Sequence, residues 1–110
     1  MANTKEVANA AAKWWTDIIS MSNTLDEIQI CFFYELLVDR IQNELKESPS
    51  LELECDNCPS RVIAEIAEEV GIAESFFPSK VIMVISRNSV KLKDSHDSPW
   101  LELYPKNEYM

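Results

Sequence analysis

Apolar residues recur along the first twenty positions at helical spacing. Val7, Ala11, Trp14, Ile18 and Met21 follow one another at steps of four, three, four and three, which lines one face of a helix running from about Asn3 or Thr4 to Met21. Asn3, with Glu6 three residues on, has the spacing of a capping box. Trp15 sits one step round, and two adjacent tryptophans on a helix cannot point the same way. The pattern therefore predicts Trp14 in the core and Trp15 half-buried at its edge. The alternative makes Trp15 an exposed anchor for a partner, since tryptophan is enriched among interface hot spots.

Thr24-Leu25-Asp26-Glu27 matches a second capping box, with Thr24 as cap, and opens a helix from Leu25 to about Glu47. Its apolar residues (Ile28, Cys31, Phe32, Phe33, Leu36, Leu37, Ile41 and Leu45) exceed one narrow stripe, so it is expected to pack on two sides. Pro49 ends it. Leu51, Leu53 and Cys55 alternate with Glu52, Glu54 and Asp56, the pattern of a strand with one buried and one wet face. A third helix follows from about Pro59 to Val70, closed by Gly71, with Arg61, Glu65, Glu68 and Glu69 outside. Phe76, Phe77 and Pro78 form a short apolar loop. Val81 to Ile85 is an unbroken apolar run, expected as a central strand. Arg87-Asn88-Ser89 turns into the alternating strand Val90 to Lys93. The tail, 94–110, is expected to supply an edge strand at Trp100 to Tyr104 or to stay loosely ordered. The expected fold is α+β, a single domain over 1–110. Two N-terminal helices and a third pack on a small, mainly antiparallel sheet of three to four strands, in the order ααβαββ.

Composition and charge narrow the function. The 110 residues are 46% hydrophobic, which is enough for one core and argues against disorder. No apolar run is long enough to span a membrane and no signal-like start is present, so a soluble, cytoplasmic chain is expected. A net charge of −9 argues against direct nucleic-acid binding, which needs cations facing phosphates. The charge is also segregated. Residues 47–74 carry eight acids against Arg61 alone, whereas 80–93 carry Lys80, Arg87, Lys91 and Lys93 and no acid.

Catalytic motifs are sparse. Cys55-Asp56-Asn57-Cys58 is a C-x-x-C at a helix N-terminus, where a dipole favours thiolate, but Glu54 and Asp56 oppose it. The stretch to Pro78 is also too short for a thioredoxin-like unit. Zinc would need Cys31, Cys55, Cys58 and His96 to converge, since these are the whole stock of soft ligands. The bland reading puts Cys31 and Cys55 in the core. One histidine and one glycine leave little for nucleophilic pairs or phosphate loops. The chain reads as a non-enzyme with no cofactor, metal or catalytic residues.

The remaining feature with a mechanism is the acidity itself. Glu52, Glu54 and Asp56 are spaced by roughly 6.5 to 7 Å along a strand face. Glu65, Glu68 and Glu69 lie on neighbouring helical positions, so the six carboxylates are candidates to imitate roughly every second phosphate of a nucleic-acid strand. Ala11-Ala12-Lys13-Trp14-Trp15 resembles the opening of a group of small phage- and prophage-encoded proteins. Asp56-Asn57-x-Pro59, Glu65, Glu69-Val70-Gly71-Ile72, Phe77-Pro78-x-Lys80, Met83 and Val90 are similar to their second half in order and spacing. The tail after Lys93 departs from that group. Most of the group are uncharacterised, and comparable small acidic phage products include anti-CRISPR inhibitors of host defence. The resemblance implies an inhibitor that binds a host protein or ribonucleoprotein with a basic groove, most readily a CRISPR-Cas effector, through a nucleic-acid-mimicking surface. Two alternatives stand beside it. One is a thiol or zinc protein using Cys55 and Cys58. The other is a homo-oligomeric adaptor burying Trp15, Phe76 and Phe77 against another copy.

Overall fold

The computed structural model describes residues 4–22, 24–57, 59–94 and 98–104. Helix α1 spans Thr4–Ser20 and α2 Glu27–Glu47; strand β1 (Ser50–Asp56) and helix α3 (Arg61–Val70) follow. A short 3-10 turn at Glu74–Phe76 leads to β2 (Lys80–Ser86), β3 (Val90–Lys93) and β4 (Leu101–Tyr104). The four strands form one antiparallel sheet in the order β1-β2-β3-β4, with the apolar run of β2 inside, as its sequence predicts. The expected edge strand in the tail is thus present. The expected Asn3 cap and residues 105–110 lie outside the described residues.

The sheet has one dry face. Leu53 and Cys55, Val81, Met83 and Ile85, then Val90 and Leu92 are buried and turn toward the helices. Their strand neighbours point the other way, and none of the described helices covers that side, so Ile82 and Val84 remain half-buried. The unbroken run in β2 therefore predicted its place in the sheet but not burial on both faces.

Helix α1 is rotated by about one residue from the expected stripe. Val7, Ala8, Ala11, Ala12, Trp15 and Ile19 are fully buried, Trp14 and Ile18 half-buried, and Met21 is 76% exposed. Trp15 is thus a core residue and neither an edge residue nor an exposed anchor. The alanines explain the difference. Ala8 and Ala12 have no bulk to hold neighbouring elements off, so the small-residue side of the helix makes the close approach and carries Trp15 inward with it. Trp14 stands edge-on to Trp15, with centroids 5.1 Å apart. Phe77 lies 6.2 Å from Trp15 and 5.7 Å from Phe33, and it is buried, so the predicted apolar loop is a plug and not a docking tip. Phe76 is half-buried against the same core.

Helix α2 buries one stripe, Phe33, Leu37, Ile41 and Leu45, at strict four-residue steps. The helix packs against α1, α3 and strand β1, as its wide apolar face predicts, but Ile28 and Phe32 on its far side are 67% and 55% exposed. Its cap is Asp26, two residues later than the sequence suggested, in a capping box with Gln29. The Gln29 amide also donates to the carbonyls of Val70 (3.2 Å) and Gly71 (3.3 Å), tying the start of α2 to the end of α3. At the other end of α2, the Arg87 guanidinium donates to the Leu45 carbonyl at 2.8 Å, satisfying a group that the helix leaves open.

Helix α3 starts after Ser60, two residues beyond Pro59, which instead faces Cys55 in a single antiparallel bridge. It ends at Gly71 (φ 87°) in a Schellman arrangement. The Gly71 amide donates to Glu68 and the Ile72 amide to Ala67, while Ile72 itself is buried. The tail is tied to α1 by the Tyr104 hydroxyl, which donates to Glu6 at 2.8 Å. That bond to a carboxylate raises the phenol's pKa above its ordinary value.

Two stability outcomes follow from this packing. Trp15→Ala should cost about 3–5 kcal/mol, and Trp14→Ala clearly less, by denaturant titration. Equal losses would contradict the assignment of Trp15 to the core. Gly71→Ala should cost about 1–2 kcal/mol through backbone strain alone, since an added Cβ meets nothing nearer than Gln29 Nε2 at 3.5 Å.

Candidate functional site

The six carboxylates singled out from the sequence fall into two layers. The rigid pleat of β1 sends Glu52, Glu54 and Asp56 to the open side of the sheet, away from the helices. The apolar stripe of α3 (Ile63, Ile66 and Ala67) turns inward, so Arg61, Glu65, Glu68 and Glu69 project from the helical layer. The structure does not bring the six onto one plane.

Cations neutralise two of the six. Glu65 accepts from Arg40 Nη1 at 3.1 Å and from Arg61 Nε at 3.0 Å. Arg40 also holds Glu44 at 3.1 Å, so a single guanidinium links α2 to α3. The hydrogen bonds from Arg61, then Arg40, hold the Glu65 carboxyl below its ordinary pKa, and Arg40 is raised in return, first by Glu44 and then by Glu65. On the sheet, Asp56 lies 3.8 Å from Lys80. Glu52, Glu54, Glu68 and Glu69 have no cationic partner among the described residues.

On the α3 side the acids border a shallow depression of about 330 Å³, lined by Ala64, Glu65, Ala67, Glu68, Ile72, Ala73 and Glu74. Glu74 was visible in the sequence only as one acid of a charged segment. The 3-10 turn places it beside Glu68.

The open side of the sheet is banded. In register across the strands, Glu52 lies opposite Val84 and Val84 opposite Lys91; Glu54 lies opposite Ile82 and Ile82 opposite Lys93. Carboxylates thus form one row, aliphatic side chains the next and ammonium groups the third, and beyond that row Glu102 on β4 lies opposite Lys91. Trp100, 44% exposed, completes the surface, with Lys93 Nζ 4.6 Å and Lys91 Nζ 5.6 Å from its ring centre. The basic segment therefore meets the acidic strand directly only at Lys80 and Asp56.

Of the predicted hydrophobic anchors, Trp15 and Phe77 are buried in the core and out of a partner's reach, and Phe76 is half-buried against the same core. Exposed apolar groups lie elsewhere: Ile28 and Phe32 on α2, Met21 after α1, and Trp100 and Leu101 at β4. The signal for the α2 pair was the excess of apolar residues over one stripe. A groove of about 540 Å³ between α1 and the sheet, floored by Trp14, Ile18, Val81 and Leu92, opens next to Leu101.

The thiols separate. Cys55 is buried on the inner face of β1. Cys31 is exposed on α2, with its sulfur 3.7 Å from Glu35, and so is not a core residue. A zinc site built from all four soft ligands fails at that point, and Cys58 and His96 lie outside the described residues. Among the described residues no group of three or more His, Cys, Asp and Glu side chains is arranged to hold a metal ion. No described helix is long and apolar enough to cross a membrane. No protein-family model matches the chain, and no curated protein matches it.

The Glu65 geometry fixes a pH dependence. A carboxylate whose pKa is lowered by folding contributes fully above its unfolded value, and the contribution is lost as pH falls through the lower folded value. Glu65→Gln should therefore be less stable than the parent near neutral pH, with the gap closing in acid. Thermal melts from neutral to acidic pH check this, and a gap independent of pH would mean that the two arginines do not act on Glu65 through charge.

Proposed function

We propose that this chain is a non-enzymatic, phage- or mobile-element-type binding protein that inhibits a nucleic-acid-handling host defence complex, with CRISPR effectors as the leading target class. It does so by seating an acidic surface in a basic groove. The observation that carries the reading is the α3 surface, where exposed Glu68 and Glu74, beside the compensated Glu65, rim a depression of side-chain size. Glu69 adds a further unpaired charge on the same short helix. Carboxylates held roughly 5–6 Å apart repel one another, and an arginine or lysine entering between them relieves that repulsion. Complementarity of this kind speeds encounter and makes it salt-sensitive.

In this reading the first contact falls to Glu65, Glu68, Glu69 and Glu74. Glu52, Glu54 and Asp56 face the other way and join only if the partner wraps the β1 edge. The likeness to small acidic phage products supports a defence target, and the segregated charge supports competition for a groove that normally holds nucleic acid.

The test is competition against labelled DNA on a panel of purified CRISPR effector complexes, at about 0.1 M and about 0.5 M salt. Release of DNA from at least one complex is expected, and it should weaken at the higher salt. The variant E68K/E69K/E74K should compete at least about tenfold less well, with a melting temperature within a few degrees of the parent. The reading is overturned if no complex releases DNA, or if the triple reversal competes as well as the parent.

A further inference from the structure

We infer that the open face of the sheet is the contact surface of a two-fold symmetric dimer of this chain. Among the described residues no helix covers the face, which carries the half-buried Ile82 and Val84 along its middle strand and presents the exposed Trp100 at its side. An antiparallel sheet tolerates a wet face, but this one has an aliphatic row flanked by opposite charges, and that pattern complements itself.

The registry decides how two copies meet. Glu52, Val84 and Lys91 form one row across the strands, and Glu54, Ile82 and Lys93 form the next. The carboxylate and ammonium bands stand on either side of β2, each about 4.8 Å away. Let a second copy be laid face to face, related by a two-fold axis parallel to β2. The rotation exchanges the two sides of β2 and keeps the height of each row. Glu52 then stands over the second copy's Lys91 and Glu54 over its Lys93, with Val84 on Val84 and Ile82 on Ile82 at the axis. An axis across the strands would instead set Glu52 over Glu54 and Lys91 over Lys93, which repels. The charge pattern therefore selects one packing, an aligned one of the kind face-to-face sheets adopt at about 10 Å separation and strand angles near 30°.

The lysines are already placed for it. Both lie over the Trp100 ring, which holds their ammonium groups on this face. Lys80, at the end of the axial row, faces its own counterpart across the axis, a like-charge pair that Asp56 of the same chain, 3.8 Å away, offsets. Three strands overlap in this packing, since β4 lies beyond the partner's β1 edge; at about 4.8 Å per strand and four to seven residues at about 3.4 Å they give a face on the order of 250 Å² per copy. That is below the roughly 800 Å² per partner of a standard interface, so the dimer is weak and concentration-dependent. The inference is independent of the proposed function, because α3 takes no part in this face.

Sedimentation velocity on the full chain, from about 10 μM to about 1 mM protein at about 0.1 M salt, tests it. A monomer–dimer equilibrium that shifts toward monomer at about 0.5 M salt is expected. E52K/E54K and K91E/K93E, each alone, should have dimer dissociation constants raised at least about tenfold, since each sets like charges face to face. An equimolar mixture of the two should form a heterodimer, because positions 52 and 54 again face opposite charges at 91 and 93, and this restoration shows that both variants are folded. A parent that stays monomeric at the highest concentration overturns the inference. So does a dimer that both reversals leave intact, or one abolished by I28S/F32S, which would move the interface to α2.

Discussion

The position of Phe77 governs the rest of the structure. Its ring lies against Trp15 of α1 and Phe33 of α2, and its backbone leads within three residues into the central strand β2. One aromatic plug therefore joins both long helices to the middle of the sheet. It fills the space between them on the inner side, where the described helices lie, and none of them reaches the sheet's second face. The inward set of β2, Val81, Met83 and Ile85, is buried as a consequence, while Ile82 and Val84 are not. Each surface used above as a candidate site exists because the hydrophobic core is one-sided.

The order of elements and the central place of β2 were legible in the sequence because strand alternation, apolar runs and helix punctuation are local signals. The facing of α1 was not. A count of apolar residues weighs Trp14 and Trp15 alike and discounts alanine, whereas the closest approach is made by Ala8, Ala11 and Ala12, and the helix turns to suit them. The α2 start was misplaced for a related reason. Thr24 and Asp26 both head capping patterns, and the choice between them falls to Gln29, whose amide reaches carbonyls of Val70 and Gly71, more than forty residues away in the chain. No local reading contains that bond. For the site, the acids themselves were legible, but their division between two layers was not, because it depends on which side of the sheet the helices occupy.

The segregated charge also looks different once folded. Whether the four cations in 80–93 neutralise the acidic segment by lying against it is not legible in the sequence. They are distributed among three tasks. Lys80 meets Asp56, Arg87 closes the C-terminus of α2 through the Leu45 carbonyl, and Lys91 and Lys93 rest on Trp100. Only the first neutralises an acid of β1. The acids of α3 draw their two compensating arginines from Arg61 on α3 itself and Arg40 on α2, both concentrated on Glu65. Neutralisation is thus focused on single carboxylates that tie elements together, and the others keep their charge at the surface.

A chain of net charge −9 meets an opposing force when it pairs with itself, and the layering bears on how large that force is. The acids of α3 project from the helical layer, away from the open sheet face. At moderate salt, charges separated by more than about 8–10 Å scarcely act on one another, so those acids contribute little repulsion between two apposed sheets. Glu52 and Glu54, by contrast, would meet ammonium groups at contact distance, where screening is weakest. At lower salt the long-range repulsion between whole chains grows faster than the contact attraction, and at higher salt the contact attraction itself fades. Self-association through the banded face is therefore favoured within an intermediate window of ionic strength. The acidic helical face, which plays little part in that contact, attracts a basic partner most strongly at low salt, so the two surfaces respond differently to ionic strength.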